Sequence, residues 1–331
     1  MRIGKVGRVL AGVVGALVAV PAVAVSYALV RYDRVRSVPM PDVHAVTDPA
    51  VIARGRYLVY GPGRCADCHT PDAARPQLFK GEEVPLTGGP GEHTYIGTWS
   101  APNLTPDPAT GIGRVSDGEF VRMLRYGVNR RGRIAPPFMD SYANLADDDL
   151  VAILSYLRSI PPEPGTPPDA RVNLLGKITL AYFLDPYAPD GTPPAHLAPD
   201  ASAAYGGYIA NTLGGCRTCH TARNLETGAY TSPPFSGGLP FHSRLHPGQV
   251  YVSPNLTPDP ATGHITAWPE DGFVARFRAG LLIPDSPMPW GSFRRTSDSD
   301  LRAVYRYLHS LAPVHHDVGP VMQAEHGQAA G

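Results

Sequence analysis

Apolar and polar positions along this chain fall into two similar series of helical stretches behind one long apolar run. The run extends from Val9 to Val30, broken only by glycines, Pro21 and Ser26, and follows Arg2, Lys5 and Arg8. It is long enough to cross a hydrocarbon layer of ~30 Å, and reads as a membrane segment or a signal peptide. Ala22-Val23-Ala24 offers a small-residue cleavage pattern, but the apolar run continues past it, which favours an uncleaved anchor. Further on, Leu150, Ile153, Leu154 and Leu157 recur at helical spacing, with Asp147 to Asp149 at the positive end and Pro161 as the stop. Leu301, Val304, Tyr305 and Leu308 repeat that pattern ahead of Pro313. These are two closing helices. Short opening helices are predicted over 49–60 and 201–212, and middle helices over Ser116–Tyr126 and Pro269–Ala279. Nothing alternates long enough for a substantial sheet.

The two series are a duplication with a period of about 150 residues, the size of a small domain. Arg54-Gly-Arg-Tyr57 leads to Cys65-Ala-Asp-Cys68-His69, and Tyr205-Gly-Gly-Tyr208 leads to Cys216-Arg-Thr-Cys219-His220. Both copies then carry Pro-Asn-Leu-Thr-Pro-Asp-Pro-Ala-Thr-Gly, at 102–111 and 254–263. The expected organisation is an N-terminal anchor or signal segment over 1–36, domains over 48–161 and 201–314, a Pro-rich linker over 162–200 and a tail over 315–331. Within the linker, Val172–Leu184 is apolar but too short to span a membrane, and is expected to pack against a domain.

Composition adds restraint more than direction. With 37 Pro and 35 Gly among 331 residues, irregular connections should be long. A formal net charge of zero argues against a nucleic-acid partner.

The cysteines carry the chemistry. All four stand in Cys-x-x-Cys-His, the motif of c-type haem attachment: two thiols reach the two vinyl groups and the adjoining imidazole turns onto the iron. Two covalently bound haems c follow, on Cys65, Cys68, Cys216 and Cys219, with His69 and His220 as iron ligands. A Cys₄ zinc site or a pair of reducible dithiols would use the same cysteine spacing, but neither requires a His after each pair. Because covalent haem attachment of this kind takes place outside the bacterial cytoplasm, both domains should face the periplasm from the inner membrane.

Each iron then takes a sixth ligand or keeps an open position. Met139 and Met288 occur one per copy, in Pro136-Pro-Phe-Met139 and Pro287-Met288-Pro289-Trp290, each just ahead of a closing helix. Recurrence at one place favours ligation, although aligning the closing helices sets Pro137 against Met288 and leaves Met139 two positions late. Met123, inside a middle helix, reads as core. His93, His242, His246 and His264 are the competing ligands. Arg122, Arg125, Arg130, Arg131 and Arg133 make a basic run that reads as a solvated face or as a docking patch for an acidic partner.

Taken together, the two Cys-x-x-Cys-His motifs, the paired Asn-Leu-Thr-Pro-Asp-Pro-Ala-Thr-Gly segments, the Met loops and Tyr156-Leu157-Arg158-Ser159 resemble the tandem cytochrome c subunits of membrane-bound periplasmic alcohol, aldehyde and sugar-acid dehydrogenases. The resemblance covers about residues 48–313. It implies a mostly α fold of two tandem class I cytochrome c domains behind an N-terminal transmembrane helix, with Met distal to each haem. It also implies electron transfer, without catalysis, between a dehydrogenase or other respiratory donor and a downstream acceptor such as a terminal oxidase or another cytochrome. Those subunits typically carry three haems, and this chain has two motifs. The rival is a dihaem cytochrome c peroxidase, which would need one iron with an open or displaceable position.

Overall fold

The computed structural model describes residues 4–135, 138–224 and 228–325. Helix α1 (Lys5–Arg31) comes first. The first series continues with α2 (Pro49–Tyr60), α3 (Cys65–His69), α4 (Arg75–Phe79), β1 (Gly91–Thr94), β2 (Gly97–Ser100), α5 (Asp117–Tyr126), a 3₁₀ turn (Asp140–Asn144) and α6 (Asp147–Ser159). The connection carries β3 (Arg171–Val172) and α7 (Leu174–Tyr182). The second series has α8 (Ala203–Tyr208) with a π turn (Ile209–Leu213), α9 (Cys216–Cys219), β4 (Pro240–His242), β5 (Gln249–Val252), α10 (Glu270–Ala279), α11 (Trp290–Phe293), α12 (Asp298–Ser310) and β6 (Met322–Ala324). The chain is mostly helical. Opening, middle and closing helices fall within a few residues of their predicted bounds.

Local chemistry explains those bounds. Asp48 caps α2 by accepting from Ala50 N and Val51 N, with Pro49 at the first helical position. Ser116 and Glu119 form a capping box on α5, which Gly127 closes at φ 65°.

Each opening helix crosses its closing helix at a glycine. A Cβ on Gly55 would stand 1.9 Å from the Ala152 carbonyl oxygen, and one on Gly206 1.9 Å from that of Ala303. The glycine ten residues ahead of each first cysteine therefore sets how closely the two helices pack, and their crossing forms the floor of the core: Leu58, Leu150, Leu154, Leu157 and Leu213 are all fully buried.

Two small antiparallel sheets, β1-β2-β3 and β4-β5-β6, flank the helices. Their strands are two to four residues long, too short for alternation to announce them. Linker and tail are also less separate than the sequence implied. Arg171 and Val172 pair with β2, and Met322 to Ala324 pair with β5.

The two series meet through reciprocal contacts. Tyr57 Oη donates to Asp300 Oδ2 at 2.6 Å and accepts from Ser297 N at 3.0 Å. Tyr208 Oη donates to Asp149 Oδ2 at 2.7 Å and accepts from Ala146 N at 3.1 Å. These residues occupy matching repeat positions, so the interface has local twofold character. The 3₁₀ turn after Met139 packs on the π turn before Cys216, and α11, after Met288, packs on α3 and α4.

The basic run is neither a solvated face nor a docking patch as a whole. Arg125 is only 5% exposed, and donates to the carbonyls of Ala143 and Leu145 and to Asp147 Oδ1. It pins the middle helix to the start of α6, as Arg278 pins α10 to α12 through Arg294 O, Thr296 O and Asp298. Arg122 donates to Asn129 O, and Arg133 pairs with Asp33 at 2.9 Å.

Replacing Gly206 by Ala should destabilise the haem-loaded protein by ~1–3 kcal/mol, because the added methyl meets backbone that cannot move aside. Thermal unfolding followed by circular dichroism should show a lowered Tm for Gly206→Ala, against no change for Gly191→Ala, where a Cβ would meet nothing within 4 Å.

Candidate haem sites

Each Cys-x-x-Cys-His begins where the backbone turns left-handed. Arg64 (φ 44°) precedes Cys65, and Gly215 (φ 57°) precedes Cys216. A glycine takes this conformation freely, whereas an arginine holds it under strain. α3 and α9 start at this turn, with Cys65 and Cys216 partly buried against the core. Burial pushes the Cys65 thiol up to about 12 and the Cys216 thiol to about 11. Both therefore stay protonated at neutral pH when no metal is bound. Among the described residues, no three His, Cys, Asp or Glu side chains converge to hold a metal ion, so the Cys₄ alternative lacks its geometry.

The histidines are held the same way in both copies. His69 Nδ1 lies 2.7 Å from Pro102 O, and His220 Nδ1 lies 3.0 Å from Pro254 O. A carbonyl only accepts, so Nδ1 carries the proton and Nε2 is the basic nitrogen facing outward from the bond. Burial depresses both imidazoles, and brings His220 to about 4. Each ring is thus neutral at pH 7, the form that ligates a metal.

Pro102 and Pro254 open the repeated ten-residue segment, whose remaining residues serve to fix that carbonyl. Asn103 Nδ2 donates to Glu163 O at 2.8 Å and Asn255 Nδ2 to Val314 O at 2.8 Å, tying the segment to the chain just past each closing helix. The Asn Oδ1 accepts from the Thr105 or Thr257 amide. Asp107 and Asp259 close the turn by accepting from the amide and hydroxyl of Thr110 and Thr262. The His carbonyls are held as well, by Gly88 N at 3.1 Å and Gly237 N at 2.8 Å.

Met139 is part-buried, caps the Asp140–Asn144 turn, and packs against the same core as Cys65 and Cys216. Met288 is also part-buried, its carbonyl accepting from Trp290 N at 2.7 Å. Pro136 and Pro137, the residues behind the two-position offset, lie outside the described residues. Met123 sits within α5 and is half-buried, whereas Phe120, Val121 and Leu124 are the apolar residues that this helix buries in the core. Of the competing histidines, His93 is on β1, hydrogen-bonded to Thr98 Oγ1, and His242 is exposed beside Glu325. His246 is exposed, and His264 lies against the Trp268 ring at 5.5 Å.

Sequence reasoning missed Arg64. Its guanidinium passes so close to the second motif that a Cβ on Gly215 would stand 2.4 Å from Nη2. It thus places a fixed positive charge between the two motifs, and its Nε is buried without a protein partner, as are Thr70 Oγ1, next to His69, and Ser141 Oγ, near Gly215 ahead of the second motif. The only sequence signal was the Arg/Gly difference at matching positions. The donor set fits a covalently attached haem: two thiols and a neutral imidazole with one nitrogen committed to the backbone, beside buried donors still lacking an acceptor.

No family model matches this chain. It is 31% identical to the gluconate 2-dehydrogenase cytochrome c subunit of Pantoea cypripedii, over 79% of this chain and 60% of that protein. It is 30% identical to a protein named diheme cytochrome c-type from Cereibacter sphaeroides, over 76% of this chain and 82% of the relative. A shorter match, 36% identical over 36% of this chain and 26% of the relative, is to the cytochrome c subunit of the quinone-dependent alcohol dehydrogenase of Gluconobacter oxydans. The chain thus spans less than two thirds of the gluconate and alcohol dehydrogenase subunits, but most of the dihaem protein. All three are named as cytochromes c or cytochrome c subunits, which gives the peroxidase reading no support. The chain belongs to the c-type cytochromes, electron-transfer proteins that bind haem c covalently.

Proposed function

We propose that this protein is a membrane-anchored, periplasmic dihaem cytochrome c that passes electrons from a dehydrogenase to a downstream respiratory acceptor. Residues 48–161 and 201–314 form its two class I cytochrome c domains. Cys65 and Cys68 attach one haem and Cys216 and Cys219 the other, with His69 and Met139, and His220 and Met288, as the axial pairs. The observation that carries this reading is the duplicated bond from His Nδ1 to the Pro102 or Pro254 carbonyl. The dehydrogenase donor is supported by the similarity to cytochrome c subunits of dehydrogenases, and the anchor by α1, whose stretch Gly7–Arg31 is long and apolar enough to cross a membrane.

When bound, each haem supplies a one-electron Fe(III)/Fe(II) couple. The protein's own residues set the conditions. The bond to proline fixes ring orientation and makes the imidazole a better donor. A thioether as second ligand favours the reduced form relative to a second imidazole. Arg64, part-buried and near both motifs, disfavours added positive charge at either site.

Four outcomes are expected. Intact mass should show two covalent haems per chain, and one after Cys216→Ser/Cys219→Ser. Met288→Ala should remove the sulfur-to-iron charge-transfer absorption of one haem and lower its potential; an unchanged spectrum would exclude Met288 as a ligand. In redox titrations, Arg64→Gln should lower both potentials by tens of millivolts, on the order of a unit charge acting at an effective dielectric of about 20, while Arg64→Lys should stay near wild type. Detergent extracts of native membranes should yield a dehydrogenase that co-purifies with the chain and reduces its haems when substrate is added. Purification with no such partner would sink the donor assignment.

A further inference from the structure

α7 is apolar on both sides, which a helix at a protein surface cannot sustain in water. One side packs inward: Gly176, Leu180 and Ala181 are buried, and a Cβ on Gly176 would stand 2.0 Å from Ile96 O. The other side faces outward with Leu174, Leu175 and Tyr182 at 52%, 50% and 45% exposure, followed by Phe183 at 77%.

This outward face continues an apolar surface already assigned to lipid. α7 lies against the end of α1, with Tyr182 Oη donating to Ala24 O at 2.8 Å and Arg31 Nε to Ala181 O at 3.1 Å. The rings of Tyr27, Tyr182 and Phe183 form a chain, with centroids 5.5 Å and 6.3 Å apart. Cations border it: Arg31 lies 5.3 Å from the Tyr27 ring and Lys177 5.0 Å from that of Tyr32. Tyrosines with flanking Lys and Arg at one end of an apolar span are the composition of a membrane–water interface.

We propose that α7 lies flat in the headgroup region of the bilayer, a second membrane contact beside the span. The inference rests on the reading of α1 as a membrane segment. At ~1.5 Å per residue α7 is too short to cross the bilayer, but long enough to lie along it. Its partner is the lipid surface. Because Val172 pairs with Gly97 just before α7 begins, lipid contact there would fix the tilt of the first haem-binding half as well as its distance from the membrane.

The full-length, haem-loaded protein in nanodiscs of phosphatidylethanolamine and phosphatidylglycerol tests this. Its native cysteines are taken up by thioether bonds, so single cysteines can carry nitroxide labels. Labels on Phe183→Cys and Leu175→Cys should show an oxygen-to-nickel-chelate accessibility ratio several-fold above that of Ser310→Cys, and closer to that of Val18→Cys within the span. A lipid-like Val18→Cys label with a water-like Phe183→Cys label would overturn the α7 proposal while leaving the anchor intact. A water-like Val18→Cys label would overturn the anchor, and this inference with it. Shielding of Phe183→Cys from both reagents would mean a protein partner, and would also overturn lipid contact.

Discussion

The geometry of both candidate haem sites depends on a bond between an imidazole and a backbone carbonyl. The histidine of Cys-x-x-Cys-His can be supplied by five residues of sequence, but its orientation cannot. That is settled some thirty residues later, where Pro102 or Pro254 presents its oxygen to Nδ1. A proline there has fixed φ and no N–H, so it offers an acceptor without introducing a donor that burial would leave unsatisfied. The Asn, Thr and Asp that follow then hold the segment against the exit of the closing helix. Two distant parts of each half, the motif and the end of the closing helix, are thereby joined through one loop.

The sites are built alike but not identically charged. Arg64 takes a strained left-handed conformation where the second copy has an unstrained glycine, and its side chain occupies the space that this glycine leaves. The two positions therefore depend on each other: an arginine at both would collide, and a glycine at both would leave the motifs without their shared cation. Two copies of one sequence have become different by dividing a single role.

Much of this was legible in the sequence. The helices were readable because burial of Leu58, Leu154 or Leu308 along one face imposes a 3.6-residue period, and the two Cys-x-x-Cys-His motifs were visible because their spacing is a fixed pattern. The repeated ten-residue segment was visible as a pattern, yet its purpose was not, since the group it presents is a backbone oxygen that any residue possesses. Arg125 was misjudged for a related reason: a run of arginines looks like a charged surface, and only the path of the chain reveals that Ala143 O, Leu145 O and Asp147 surround one of them. The contacts of Tyr57 with Asp300 and of Tyr208 with Asp149 span far more sequence than any local pattern reaches. The short strands β3 and β6 were missed because two or three residues cannot establish an alternation.

The reciprocal tyrosine–aspartate contacts have an evolutionary consequence. An interface in which each side offers the same group to the same acceptor is one that a single, unfused copy can close with an identical copy of itself. Such a dimer depends on protein concentration, whereas a tether converts the same encounter into an intramolecular one at high effective concentration. Once fused, the two sides no longer share a gene position, so each is free to change alone. Arg54 donates to Tyr205 Oη at 3.0 Å from the matching repeat position, and Arg64 reaches over Gly215; these are differences that no homodimer could make on one side only.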